Sequence, residues 1–96
     1  MAQFDVYRLR GGSLVVDCQS DLLDALPSRF VVPLRTSHLA ELEHLTPTFD
    51  IDNKRMVMLT PLARSIDRRE IEGVVMTLIA EQDRIKRALD MLVSGI

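Results

Sequence analysis

Ile85, Ala88, Leu89, Leu92 and Val93 recur at i, i+3, i+4, i+7 and i+8, a single apolar stripe at the helical period and the clearest periodic signal in the chain. A helix with one apolar side must lay that side on something, and what precedes it reads as strands. The fold class predicted is mainly β with a C-terminal α-helix. The opposite side of this helix is charged, with Asp83 and Arg87 at i, i+4 in the acid-first order and Lys86 and Asp90 in the weaker reverse order. Each such pair is worth only about 0.3 kcal/mol, so it serves solubility more than stability.

Phe4, Val6 and Tyr7 against Asp5 and Arg8 alternate as a half-buried strand does, Gly11-Gly12 supply a turn, and Leu14–Cys18 resume as a second strand, giving a hairpin. Gln19–Ser28 reads as a loop presenting Leu22, Leu23 and Leu26. Arg29–Leu34 is a β-branched, aromatic run in which Pro33 predicts a strand that ends or meets a sheet edge. Leu39, Leu42 and Leu45 predict a short helix or helical loop over 36–45, with Thr36 or Ser37 as its cap. Thr48–Ile51 and Arg55–Leu59 flank Asp52-Asn53-Lys54, a second hairpin whose Asp and Asn suit a tight turn. Arg64–Ile71 is polar and ambiguous, and Glu72–Leu78 reads as either a strand or a turn.

The 96 residues, 47% of them hydrophobic, predict one domain over 1–96. A chain this short buries only about 60–65% of its unfolded surface, which favours a second copy or a partner. The formal net charge of −2 gives no broad basic field, so the expected partner is a protein and no sequence-specific nucleic-acid binding is expected. The lone Cys18 excludes an internal disulfide, and no His and Cys spacing matches a metal site. The Gln3-Phe4-Asp5 start has no apolar leader, and no stretch reaches the length of a membrane span, so a cytoplasmic protein without cofactor or membrane contact is expected.

Gln3-Phe4-Asp5-Val6-Tyr7, Val16–Asp24 and Arg29–Leu34 together resemble consecutive blocks of the CcdB family of toxins, in the same order. The likeness continues through Met56–Thr60 into the last helix, with a small deletion near residues 36 to 46. It implies a CcdB/MazF-like, SH3-like antiparallel barrel with a small β wing, and a homodimer whose helix ends lie side by side. It also implies a toxin neutralised by a CcdA-like antitoxin, whose target is the A subunit of DNA gyrase, trapped after it has cut DNA. That is inhibition by binding rather than catalysis. Carried over by position, the gyrase-facing residues are Leu22 and Leu23 on the loop, Asp83, Arg87 and Asp90 on the helix, and Ser94, Gly95 and Ile96 at the tail. Ser94 stands where gyrase poisons of this family carry tryptophan, whose ring stacks on a partner guanidinium and buries a large apolar area. The charged Asp83, Arg87 and Asp90 replace asparagines.

Two other readings compete. One is a protein of the same fold that keeps antitoxin binding while its gyrase activity is weakened, lost or redirected, as Ser94 suggests. The other is a MazF-like endoribonuclease, with Thr60 and Arg64 among the candidate catalytic residues. His38, Glu41 and His44 share a segment, but i and i+6 lie far apart around a helix, which makes a poor metal site. Cys18 has no neighbouring base in sequence and reads as a structural thiol.

Overall fold

The computed structural model describes residues 1–36 and 44–95. Within them the chain forms strands β1 (Asp5–Leu9), β2 (Leu14–Asp17), β3 (Ser28–Thr36), β4 (Thr48–Ile51), β5 (Lys54–Met58), β6 (Arg64–Asp67) and β7 (Ile71–Thr77), followed by helix α1 (Gln82–Ser94). Every pairing is antiparallel, in the order β4-β5-β3-β2-β1-β7, with β6 added on β3 beside β5. This curled, mainly β sheet with one C-terminal helix is the fold class expected from the sequence.

The first hairpin pairs Val6 with Val16 and Arg8 with Leu14. The second turns on Asp52 and Asn53, both with positive φ (53° and 64°), as a two-residue hairpin turn requires. Pro33 does not end its strand, because β3 continues to Thr36. Its carbonyl accepts from Leu59 N–H (2.9 Å), so its nitrogen faces that same side. There β3 changes partner, from β6 (up to Val31) to β5 (from Leu34), and no neighbour needs the missing donor. The ambiguous stretch 64–71 proves to be β6 and a 3-10 turn, Arg68–Glu70, and 72–78 belongs mostly to β7. The helix predicted over 36–45 falls largely outside the described residues; Thr36 itself closes β3.

Strand alternation gives the sheet two buried faces. On the concave face Val6, Val16, Val32, Leu34 and Met58 pack with Phe4, Phe49 and Ile51 beneath Ile85 and Ala88 of α1. On the other, Tyr7, Leu9, Val15 and Val31 close against Ile66 of β6. The helical stripe is only partly used: Ile85 and Ala88 are buried and Leu89 packs at the margin, whereas Leu92 and Val93 are exposed (42% and 83%). The expectation that Leu92 faces the core is therefore corrected, because the last turn of α1 carries no buried residue.

Candidate functional site

Buried polar groups need partners, and the densest set of them lies under the Gln19–Pro27 loop. Asp17 and Arg29 are both fully buried, and Arg29 donates to Asp17 Oδ2 through Nε (2.9 Å) and Nη2 (2.5 Å). The Tyr7 hydroxyl donates to the same oxygen at 2.5 Å, and the other, Oδ1, accepts from Gln19 N–H (2.8 Å). Burial, reinforced by the Asp17 bond and charge, pushes the Tyr7 hydroxyl far above its ordinary pKa. Burial works against the Arg29 charge as well, but the Asp17 bond and charge outweigh it and the guanidinium is held protonated. Next in sequence to Asp17, the buried Cys18 thiol is pushed up to about 12, by burial and then by the Asp17 charge.

From this base the loop is fastened at each turn. Ser20 caps the 3-10 turn Asp21–Leu23, its Oγ accepting from Leu22 N–H. Gln19 donates from Nε2 to Leu23 O (2.9 Å) while its Oε1 accepts from Phe30 N–H (2.9 Å). Asp24 Oδ1 accepts from Arg29 (3.0 Å) and from Arg68 (3.3 Å). Arg68 also donates to the carbonyls of Asp24 and, at 2.9 Å, Leu26. A capping box between Asp67 and Glu70 fixes the 3-10 turn that carries Arg68, and the Arg69 side chain and backbone N–H hold Asp67 below the usual carboxylate range. With the backbone so satisfied, the leucines point away: Leu22 is 94% exposed, Leu23 50% and Leu26 44%.

On α1, Asp83, Arg87, Asp90 and Ser94 are all exposed, and Ile96 lies outside the described residues. Neither expected ion pair, Asp83 with Arg87 or Lys86 with Asp90, forms among the described residues. Arg84 pairs with Glu81 (3.1 Å) and lies over the Phe49 ring, while Lys86 reaches Gln82 (3.4 Å). Gly95 ends the helix in the left-handed conformation (φ 72°), its N–H on Met91 O (2.9 Å).

Loop and helix meet through Gln3 and Phe4, of which the sequence pattern placed only Phe4, in the first strand. Gln3 N–H donates to Asp21 Oδ1 (2.8 Å) in the loop, and its neighbour Phe4 packs with Ile85 and Ala88 under Lys86, whose Nζ lies 5.9 Å from the ring centre. Gln3 and Lys86 thus join the candidate surface, over a buried Phe4; the positive φ of Phe4 (74°), which turns it inward, leaves no mark in residue type. Thr60, a candidate for nuclease chemistry, is fully buried with its hydroxyl donating to Leu45 O (2.6 Å). Among the described residues no cluster fit for a metal ion occurs, and no helix is long and apolar enough to cross a membrane.

Among curated proteins none matches the chain. Among solved structures it is similar to an endoribonuclease from a mycobacterial species (TM-score 0.80, 13% identity, 97% of this chain and 90% of that one). It is likewise similar to the Mycobacterium tuberculosis toxin MazF-mt6 (TM-score 0.73, 14% identity, 90% of each chain). At such identities the likeness shows the fold, a MazF-like toxin fold. The profile described as CcdB protein matches residues 3–95, so the chain belongs to the CcdB family.

Proposed function

We propose that this chain is the toxin of a toxin–antitoxin pair, acting in the cytoplasm as a homodimer of one 96-residue domain that binds the A subunit of DNA gyrase and is neutralised by a CcdA-like antitoxin. The observation that carries the reading is the fastened loop that holds Leu22 and Leu23 in water beside a helix with an exposed polar face. An apolar side chain kept out of the core by a dense hydrogen-bond network is prepared for a partner, because little entropy remains to be lost on binding. Asp83, Arg87 and Asp90 supply the polar part of that surface and Ser94, Gly95 and Ile96 its tail. Exposed Leu92 and Val93 at the helix end support the dimer contact.

In a supercoiling assay, micromolar protein is expected to bind the gyrase A subunit and accumulate cleaved DNA; neither binding nor cleaved complexes at that concentration refutes the reading. Exposed Ser94 favours a second reading, a toxin-fold protein that binds antitoxin while its hold on gyrase is weakened or redirected. Losing a central aromatic anchor costs about 2–4 kcal/mol. Ser94→Trp is then expected to raise gyrase affinity, and an unchanged affinity means that the target has changed. The endoribonuclease reading draws on the fold of the two solved relatives, but the buried, bonded Thr60 speaks against its assigned catalyst. New cleavage sites in total RNA would establish it.

A further inference from the structure

Strand β2 ends at Asp17, yet its hydrogen-bond ladder with β3 is carried on by a side chain. Continuing their register past the Asp17–Val31 pair sets Cys18 opposite Phe30, and half of that pair forms, with Cys18 N–H donating to Phe30 O (2.9 Å). The Cys18 carbonyl instead accepts from Gln3 Nε2 (3.3 Å), and the bond it leaves open is made by Gln19, whose Oε1 accepts from Phe30 N–H (2.9 Å). From the other end of the same carboxamide, Nε2 donates to Leu23 O (2.9 Å). A primary amide has the acceptor and the donor of a peptide group, so the buried Gln19 side chain stands in for a peptide unit between the sheet and the loop.

We propose that Gln19 is a positioning residue for partner binding, its carboxamide fixing the 3-10 turn Asp21–Leu23 on the sheet and so the direction in which Leu22 and Leu23 point. This rests on the reading that the two leucines meet the partner. The bridge needs an acceptor facing Phe30 and a donor facing Leu23. A carboxylate keeps the first but sets oxygen against oxygen at the second; once protonated, its O–H donates there and the bridge is whole again. In Gln19→Glu that carboxyl titrates above the ordinary carboxylate range, raised by burial and by the neighbouring Asp17 charge. The closed loop is therefore supported below this raised value and lost as pH rises through it. The surrounding titratable groups, Tyr7 on β1, Asp17 on β2, Arg29 on β3, Asp21 and Asp24 in the loop and Arg68 behind it, are shared with the wild type, so the ratio of variant to wild type at each pH isolates residue 19.

The test compares the full chain with Gln19→Glu and Gln19→Met at about pH 8 and pH 5.5, by amide exchange expressed as protection factors and by affinity for the gyrase A subunit. At the higher pH both variants are expected to lose protection at Leu23 and Leu26, whose N–H groups bond within the loop, and to bind about tenfold more weakly, while Val16 and Val32 keep their protection. At the lower pH Gln19→Glu is expected to return to within about threefold of the wild type, and Gln19→Met is not. Loop protection within about twofold of the wild type in both variants at the higher pH would overturn the proposal. So would equal losses in the strands, which mark a role in the fold alone, or a Gln19→Glu defect of one size at both pH values. Should Gln19→Glu lose its native circular dichroism, the loop and strand exchange of Gln19→Met decides the matter. A wild-type chain that does not bind the A subunit refutes the reading of the target instead, and the exchange data still decide the role of Gln19.

Discussion

Arg29 has no exposed side-chain surface and holds a carboxylate that is equally buried, so neither charge is tolerable alone. Removing one member of such a pair leaves the other unpaired in a low dielectric, at a cost of about 3–5 kcal/mol. Arg29→Ala is expected to lose that much in urea denaturation, and a loss below 1 kcal/mol would show that Asp17 finds another donor. Arg68 presents the opposite case. Its side chain is a third exposed and its partners are loop carbonyls and Asp24, so the substitution should shift global stability little. What Arg68→Ala should change is local: faster amide exchange at Leu23 and Leu26, together with weaker partner binding at nearly constant Tm. Unchanged exchange there would mean that Arg29 and Gln19 hold the loop without it.

Among the elements, the β4–β5 hairpin turns on two side-chain-bearing residues in the left-handed region, where glycine is at ease and asparagine only tolerated. Asn53→Gly should therefore raise the thermal midpoint by an amount equivalent to about 0.5 kcal/mol; a lowered midpoint would mean that the Asn53 side chain contributes a bond of its own. This hairpin, the β1–β2 hairpin and α1 were readable from alternation and period because each satisfies its pattern locally. β6 was not, since Arg64, Ser65 and Asp67 place only Ile66 in the core. β7 was ambiguous for the same reason: most of its residues face water at the sheet edge. Leu22 and Leu23 could be read as a loop with apolar side chains, but not as a fastened one. Its clamps come from Asp17, Arg29 and Arg68, and the Arg68 bond to Asp24 spans 44 positions, beyond any local pattern.

For the molecule as a whole, a sheet buried on both faces holds the Tyr7 hydroxyl in one core and the Cys18 thiol in the other. Both are kept neutral, chiefly by burial, so the folded chain retains protons that the unfolded chain releases in base. The stability from this source is intact below about pH 8.5 and is lost as pH rises toward 12, because above 8.5 the unfolded state binds fewer protons. Urea midpoints at pH 8 and pH 10.5 check the sign: the higher pH should give the lower midpoint, and equal midpoints would refute it.

The Cys18 thiol gives the protein a built-in clock. Because only the thiolate attacks an alkylating agent, a thiol pushed up to about 12 and shut inside the concave core is silent for as long as the fold is closed. The sequence has no other cysteine, so every labelling event dates one opening of the chain. Mass-resolved alkylation, followed with and without a bound partner, would time how long the toxin survives intact, with no engineered probe.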